Sequence, residues 1–358
     1  MSPAGRVGSS ADASEAIALV TWANEEPTGG NVYNRKLVAA LQTRGQPMEI
    51  VQVPGAWPNP DGAARWSLTA ALAKWPISLV DGIIASAAQG AIRAATGAGR
   101  TIVIVVHLPI GVDQPSQAEE QALRAASAVI CTSQHCADVL ERRYGLRRPV
   151  VALPGAETAP VAVGSRPPRL LMIAALTPNK DQLAVVQALG MISDLAWSAA
   201  LVGSASADRD YAQQVRTMID SAGLADRIMI TGPLTGAALE EQWTAADLVL
   251  LVSRTEMYGL VVTEALAHGL PAIVGAGTGA EEALAGVAPA DAPLPGLALP
   301  VGHPVALAGA LRRWLTDPDL RTTWRTAGLQ RRATLPGWDR TATAVLDCLA
   351  GLRSGEPR

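Results

Sequence analysis

Short apolar runs alternate with stretches of helical periodicity along most of the chain. Apolar runs of about four to eight residues, bounded by Gly, Pro or polar residues, are typical of buried strands. In the first half such runs cover residues 16–22, 48–54, 82–86, 101–107, 128–133 and 149–154, and in the second half residues 169–176, 198–203, 227–232, 247–253 and 271–275. Alternation of strands with helices predicts parallel sheets with right-handed crossovers.

Residues 155–169 interrupt this alternation with a segment rich in Pro, Gly and Ala and without periodicity, which is typical of an interdomain linker. The sequence therefore predicts an α/β fold of two Rossmann-like parallel-sheet domains, residues 15–160 and 161–335, which face each other across a cleft. Open α/β sheets bind ligands at the carboxyl ends of their strands, so we expect the ligand there. We expect residues 1–14 to form a disordered tail and residues 336–358 a C-terminal helix with a frayed end.

Composition limits the partners that the chain can bind. Of its 358 residues 49% are hydrophobic and only 4% aromatic, without any Phe, so the cores must consist largely of Ala, Val, Leu and Ile. The net charge of −3 and the lack of a long basic run argue against nucleic acid. No stretch approaches the roughly 18–20 apolar residues of a membrane span. The N-terminus lacks the apolar core of a secretion signal.

These features, together with the cysteines Cys131, Cys136 and Cys348 that form no disulfide framework, predict a cytoplasmic protein. Peripheral contact with a membrane stays open, because an amphipathic surface patch leaves only a weak sequence signal.

The segment SRTEMYGLVVTEALAHGLPAIVG, residues 253–275, carries two glutamates around the start of an apolar helix. The N-terminus of a helix presents free N–H groups and a partial positive charge, which suit a phosphate, and Gly259 lets a ligand approach the backbone. Glu264 lies one turn into the helix and leans toward its start, and Glu256 lies on the preceding loop. Since a carboxylate repels phosphate, each should accept hydrogen bonds from hydroxyl groups. This arrangement predicts a nucleotide sugar. The alternative is that Glu256 caps the helix and Glu264 is solvated.

Residues 247–284 resemble the signature region of the retaining glycosyltransferases of family 4, which have the two-domain GT-B fold, and the similarity extends over roughly residues 16–335. The resemblance implies that Glu256 contacts the donor hexose and Glu264 the ribose hydroxyls. It also implies donor contacts from Tyr258 and from the backbone at Gly259, Leu260 and Val261.

Three further motifs match the same family in the expected order. Residues 28–41 resemble its N-terminal Gly-Gly loop, so Gly29 and Gly30 would approach the donor diphosphate. His107 ends an apolar strand where the family places a histidine near the donor sugar. Lys180 would pair with the diphosphate. The alternatives are a tight turn at the glycines, a structural histidine and a solvated lysine.

The chain departs from the family at Ala175, where an arginine often precedes the lysine by five residues. Arg254 and Arg35 are candidate substitutes. The resemblance implies that His107, Lys180 and Glu256 serve in the transfer of a hexose from a nucleoside-diphosphate sugar to an unidentified acceptor hydroxyl, with retention of the anomeric configuration. Neither a metal nor a cofactor is expected, because charged groups and helix N–H groups can stabilise the leaving diphosphate. The DRD sequence at 208–210 has the form of a metal motif but is expected to be solvated.

Three other functions compete with transfer. A degenerate site would bind a nucleotide sugar without catalysis, as the loss at Ala175 suggests. An NAD-dependent dehydrogenase is suggested by Gly275, Gly277 and Gly279, although their spacing is one residue short of the dinucleotide fingerprint. A phosphorylase of the same fold would release a sugar 1-phosphate. The acceptor side is expected in variable N-terminal loops, where Trp57 and Trp66 either stack on the acceptor or pack internally.

Overall fold

The computed structural model describes residues 16–23, 28–110, 114–286 and 293–354. The expected tail at 1–14 and the last four residues of the expected frayed end lie outside these ranges. Contacts divide the described chain into two units. The N-terminal unit comprises the described residues from 16 to 132 together with 137–153 and 338–354, and the C-terminal unit comprises residues 133–136 and the described residues of 154–337.

The first half of the chain forms the following elements: β1 (Ile17–Trp22), α1 (Gly29–Thr43), β2 (Met48–Val53), α2 (Gly62–Lys74), β3 (Ile77–Asp81), α3 (Gly82–Ala87), α4 (Gln89–Gly97), β4 (Thr101–Val106), α5 (Gln117–Ala125), β5 (Ala128–Cys131), α6 (Gln134–Tyr144) and β6 (Val150–Val151). Within the described residues these strands make one parallel sheet with the order β2-β1-β3-β4-β5-β6.

The second half forms β7 (Arg169–Ile173), a short 3-10 turn (Pro178–Lys180), α7 (Gln182–Gly190), β8 (Ser198–Val202), α8 (Arg209–Ser221), β9 (Ile228–Gly232), α9 (Gly236–Ala245), β10 (Leu248–Leu251), α10 (Leu260–Ala267), β11 (Ala272–Gly275), α11 (Gly279–Ala285), β12 (Gly296–Leu299), α12 (Pro304–Thr316), α13 (Pro318–Arg332) and α14 (Trp338–Ser354). Its described strands form a second parallel sheet, β12-β11-β10-β7-β8-β9. The predicted pair of parallel sheets is therefore confirmed. Helix α14 belongs to the N-terminal unit, where it packs against α1.

The predicted strand at 82–86 is wrong, because these residues begin a helix and the strand lies just before them. A short apolar run fits a buried helix as well as a strand, and only the flanking residues distinguish the two. Here Asp81 ends β3, and its Oδ1 accepts a hydrogen bond from the N–H of Ile83 at 3.0 Å, which starts α3. Strand β12 follows a Pro-rich segment and was also not predicted.

Aliphatic side chains fill the cores, as the lack of Phe requires. In the C-terminal unit the sheet contributes Leu170, Met172 and Leu250, and the core also contains Trp197, directly before β8, and Trp314 on α12. Among the described residues, no helix has both the length and the hydropathy that crossing a bilayer requires.

Candidate active site

Helix α10 is almost completely buried except for one face at its N-terminal end. Leu260, Val261 and Glu264 are partly exposed, whereas every other residue of this helix is buried. Leu260 and Glu264 have the i, i+4 spacing of one helical face, and Val261 lies beside them in the first turn. The exposed face therefore coincides with the helix residues that the sequence assigns to the donor.

The backbone conformation at the start of α10 requires glycine. Gly259 has φ 91° and ψ 65°, and a Cβ there would lie 3.0 Å from Cδ2 of Leu251. The helix has no side-chain cap. The N–H groups of Leu260 and Val261 have no intrahelical acceptor, because the first N–H groups of any helix lack one. This end of α10 can therefore donate hydrogen bonds to an anion.

Lys180 and Glu256, which the sequence assigns to different parts of the donor, form an ion pair with each other. Lys180 Nζ lies 2.7 Å from Oε2 of Glu256, and the two side chains are 26% and 18% exposed. The hydroxyl group of Ser253 donates to the same oxygen at 3.5 Å. The pair is thus partly accessible and fixed from two sides.

The loop that carries Glu256 is joined to the loop that carries Lys180 through Asn179. The side chain of Asn179 donates to the carbonyl of Thr255 at 3.0 Å and accepts from its N–H at 3.0 Å. The carbonyl of Asn179 accepts from the N–H of Arg254 at 2.7 Å. These bonds bring Lys180 and Glu256 together and hold their backbones in register.

A second ion pair links the same two loops. Arg254 Nη2 lies 3.1 Å from Oδ2 of Asp181, with the arginine 59% exposed and the aspartate only 5% exposed. Asp181 adopts a left-handed backbone conformation, with φ 56°, immediately before α7. Arg254, a candidate substitute for the missing arginine, is therefore held at this loop junction. The carbonyl of Ala175 accepts from Nε2 of Gln182 at 2.9 Å.

Packing explains why two of the three positions in the dinucleotide-like turn are glycines. A Cβ at Gly279 would lie 2.0 Å from the carbonyl oxygen of Met257, and one at Gly275 would lie 2.7 Å from that of Ser253. The N–H of Gly279 also donates to the carbonyl of Glu256 at 2.7 Å. The turn therefore supports the loop that carries Glu256.

The ring of Tyr258 lies in the interior of the C-terminal unit. Its hydroxyl group accepts a hydrogen bond from Thr263 at 3.2 Å, and burial raises its pKa. Tyr258 and Glu264 were both expected to contact the donor. The side chain of Tyr258 contributes to packing, whereas that of Glu264 is partly exposed.

In the N-terminal unit His107 is held by two residues that the sequence analysis missed. His107 Nε2 lies 2.9 Å from Oδ1 of Asn34, and Nδ2 of Asn34 donates to Oδ2 of Asp81 at 3.2 Å. Burial lowers the pKa of His107, and the nearby Asp81 carboxylate opposes this shift. The helical spacing between Gly30 and Asn34, and the position of Asp81 at the end of a strand, are the sequence signals that could have identified these two residues.

The Gly-Gly loop lies directly against His107. Gly29 and Gly30 begin α1 after Thr28, whose hydroxyl group accepts from the N–H of Asn31 at 3.2 Å. A Cβ at Gly30 would lie 3.0 Å from Cδ2 of His107. Two of the predicted site elements therefore meet in this unit.

The remaining candidates occupy ordinary structural positions. Asp208 of the DRD sequence caps α8 by accepting from the N–H of Tyr211 at 2.9 Å. Trp57 is 3% exposed, whereas Trp66 on α2 is 73% exposed. Arg35 is exposed on α1. No group of three or more potential metal-ligating side chains occurs among the described residues.

Comparison with solved structures identifies the class of fold. Sucrose-phosphate synthase from Thermosynechococcus elongatus is 20% identical, with a TM-score of 0.78 over 96% of this chain and 100% of that chain. Anabaena HepE, solved in complex with UDP-glucose, is 17% identical, with a TM-score of 0.74 over 94% of this chain and 99% of that chain. The predicted GT-B glycosyltransferase fold is therefore confirmed.

Sequence comparison finds related proteins. Residues 157–331, just under half of the chain, match the model of the family described as Glycosyl transferases group 1. A protein named D-inositol 3-phosphate glycosyltransferase from Xylanimonas cellulosilytica is 28% identical over 259 residues, which are 67% of this chain and 60% of that protein. A protein of the same name from Salinispora tropica is 38% identical over 35% of this chain and 24% of its own length. The alignments thus cover less than two thirds of these relatives.

Proposed function

We propose that this protein is a hexosyltransferase that moves a sugar from a nucleoside diphosphate to an acceptor hydroxyl group. The observation that carries the proposal is the exposed face of α10. A helix that is otherwise buried leaves accessible only Leu260, Val261 and the carboxylate-bearing Glu264, next to its own uncapped N-terminus. Uncapped N–H groups suit a diphosphate, and an adjacent carboxylate suits the hydroxyl groups of a ribose.

The charged groups of the loop junction would complete the donor site. Lys180 would turn from Glu256 toward the diphosphate, and Glu256 would then accept hydrogen bonds from the hexose hydroxyls. This exchange keeps both charges partnered, because the ligand replaces each side chain's present partner with a group of suitable charge or polarity. Arg254 would add a second cation at the same junction, in place of the arginine that the family often has where this chain has Ala175.

Catalysis would then consist mainly of stabilising the negative charge that builds up on the leaving diphosphate. Lys180 and the N–H groups of α10 would supply that stabilisation without a metal or an organic cofactor. A double displacement would need a carboxylate nucleophile under the sugar, and the family resemblance assigns Glu256 to the hexose hydroxyls instead. We therefore favour front-side transfer with retention, in which the leaving phosphate accepts the proton of the acceptor. Gly29, Gly30 and His107 keep their predicted roles from the family resemblance.

The comparisons suggest which substrates to test first. HepE was solved with UDP-glucose, so UDP-sugars are the first donors, and the relatives' name makes D-inositol 3-phosphate the first acceptor. Both assignments are proposals for this chain, as are its cytoplasmic location and any peripheral contact with a membrane.

The products of the reaction test this function. Purified protein is incubated with UDP-glucose, UDP-galactose and UDP-N-acetylglucosamine, each with D-inositol 3-phosphate or inorganic phosphate, in the presence of EDTA. A glycoside whose anomeric proton shows retained configuration by NMR is the expected product. A sugar 1-phosphate formed from inorganic phosphate would indicate a phosphorylase, and an inverted glycoside would contradict the proposed mechanism.

A second candidate is a protein that binds the nucleotide sugar without transferring the sugar. Ala175 favours it, because a methyl group stands where the resembling family often has a cation. Introducing that cation by Ala175→Arg distinguishes the two. An active transferase already compensated by Arg254 would gain little, whereas a site that binds but cannot transfer would gain turnover.

A further inference from the structure

Three elements of the N-terminal unit converge on the side chain of His107. Gly30, Tyr33 and Asn34 have the i, i+3, i+4 spacing that places side chains on one face of α1. Asp81 ends β3 in parallel register with Val105 of β4, and His107 lies two residues beyond Val105, on the same side of the chain. The fold therefore brings Asn34, Asp81 and His107 to the carboxyl end of adjacent strands.

The hydrogen bonds fix the orientation of the Asn34 amide. Both oxygens of the ionised Asp81 carboxylate only accept hydrogen bonds, with Oδ1 occupied by the N–H of Ile83 and Oδ2 by Asn34. The NH₂ group of Asn34 must therefore face Asp81, and its carbonyl oxygen must face His107. A carbonyl oxygen can only accept, so the proton of the neutral imidazole lies on Nε2.

The opposite ring nitrogen is left as an acceptor. Nδ1 of His107 makes no hydrogen bond within the described part of the chain, and the side chain is 14% exposed. The ring is also held on its faces, since Tyr33 packs edge-on with ring centroids 5.1 Å apart and Gly30 packs against Cδ2. Tyr33 itself is anchored by its hydroxyl group, which donates to the carbonyl of Ala152 at 2.8 Å.

Burial favours the neutral ring, although a carboxylate lies beside it. Asp81 is the carboxylate beside the imidazole, at 3.7 Å from Nε2, and burial outweighs its effect and lowers the pKa of His107. Tyr33 is the other titratable group against the ring, and burial raises its pKa, so it stays neutral as well.

We propose that Asn34 and Asp81 are positioning residues that hold His107 as the Nε2–H tautomer, so that Nδ1 accepts a hydrogen bond from a substrate hydroxyl group. The role of Nδ1 rests on the proposed transferase function, since hydroxyl groups occur on both donor and acceptor. The tautomer itself is independent of that function. An imidazole fixed in this way accepts a proton or a hydrogen bond in one direction only, which orients a polyol.

NMR of the imidazole nitrogens tests the tautomer without substrate. In ¹⁵N-labelled wild type at neutral pH, long-range ¹H–¹⁵N correlations should show a protonated Nε2 and a bare Nδ1 for His107, assigned by the signal lost in His107→Gln. Asp81→Asn removes the acceptor-only partner, so both amides can rotate, and a mixture of tautomers is expected. A protonated Nδ1 in the wild type, or an unchanged tautomer in Asp81→Asn, would overturn the inference.

Exchanging the two partners gives a rescue experiment. In the double variant Asn34→Asp with Asp81→Asn, the carboxylate introduced on α1 can accept from His107 and from the amide introduced at the end of β3, which restores the hydrogen-bonded chain. Each single variant should lower kcat/KM about 10- to 100-fold, as expected for a misplaced reacting group. The double variant should recover most of that loss, with the acid limb of its pH profile moved to higher pH by the adjacent carboxylate.

Controls separate this inference from the proposed function and from misfolding. Gln42→Ala, at an exposed position of the same helix, should match wild type in tautomer and turnover. Single variants are compared only if their thermal unfolding remains cooperative, and the double variant supplies the test if one single variant fails to fold. The wrong tautomer would overturn this inference alone, whereas the expected tautomer without any sugar transfer would overturn the proposed function alone. Equal losses in the single and double variants would also overturn the inference.

Discussion

The two units hold their candidate site residues by different physical means. In the C-terminal unit, Lys180 and Glu256 are partly exposed charges that neutralise each other, 2.7 Å apart, on loops joined by backbone hydrogen bonds. In the N-terminal unit, His107 is largely buried and held by the amide of Asn34. An ion pair can exchange one partner for a ligand group of matching charge, because both charges then stay compensated. Buried hydrogen-bonded groups keep theirs, because an unsatisfied buried group is costly.

The comparison leads us to expect that the charged pair rearranges around a ligand and that the histidine remains fixed. Lys180 should leave Glu256 when a diphosphate can replace that carboxylate as its partner. His107 should keep both its position and its protonation state during turnover.

The largest expected effect comes from removing Lys180, the cation that we expect to move to the diphosphate. Lys180→Ala should lower kcat about 10²- to 10³-fold, the loss typical of removing one group that stabilises transition-state charge. Steady-state kinetics with whichever donor proves active in the product assay would measure it. Lys74→Ala, an exposed lysine of the N-terminal unit, is the control. Equal kcat values for the two variants would show that Lys180 has no catalytic role.

A smaller effect is expected from crowding the glycine turn that packs against the loop carrying Glu256. Gly279→Ala places a Cβ against the carbonyl of Met257 and should destabilise the protein by about 1–3 kcal/mol, as overpacking typically does. Gly309→Ala, in α12 with nothing within 4 Å of the new Cβ, should instead stabilise by about 0.5–1 kcal/mol. Chemical denaturation measures both. If both variants were stabilised, the packing role of the glycine turn would be refuted.

Removing the ion pair between Arg254 and Asp181 should reduce the free energy of unfolding moderately. Arg254→Ala leaves the buried Asp181 carboxylate without its cation and should cost about 1 kcal/mol of unfolding free energy, between the values typical of exposed and buried pairs. Arg312→Ala breaks the more exposed pair with Asp194 and should cost less. The order of the two denaturation midpoints checks this prediction. The reverse order would mean that Asp181 does not depend on Arg254.

The smallest effect concerns pH and tests whether the N-terminal unit is fixed in its neutral form. The pKa of His107 lies below its ordinary value of 6.5, so the unfolded chain binds a proton before the folded chain does. The contribution of His107 to stability is therefore complete above pH 6.5 and is lost as the pH falls toward the lowered pKa. Unfolding free energies from about pH 5 to 8 should fall more steeply with acid in wild type than in His107→Gln. Parallel curves would contradict the lowered pKa.

Most of the fold could be predicted because each buried strand is a local apolar run. The exceptions are informative. The run at 82–86 has the same local pattern as a strand, and its helical state depends on capping by Asp81, a single side chain. Strand β12 is a short edge strand of four residues, whose apolar pattern is too brief to distinguish from a loop.

The site in the C-terminal unit could be anticipated because Glu256, Gly259 and Glu264 lie within nine consecutive residues. A loop, a glycine and the first turn of a helix follow one another there, so the three residues stay close together without any long-range contact. The hydrogen bonds that hold His107 could not be anticipated, because Asn34, Asp81 and His107 come from three elements spread over the first 107 residues. The ion pair between Lys180 and Glu256 was also missed, because charge pairing between loops depends on tertiary structure.

Thermal unfolding with nucleotides tests the central claim most directly, namely that the exposed face of α10 binds a nucleotide sugar. Wild type, Glu264→Ala and the control Glu241→Ala are unfolded with UDP, GDP, ADP, their common sugar conjugates and NAD. A ligand at 100 times its Kd adds about 2.7 kcal/mol, which raises Tm measurably. The account predicts that one nucleoside diphosphate stabilises wild type and Glu241→Ala but not Glu264→Ala. Stabilisation by NAD alone, or an equal shift in all three proteins, would contradict it.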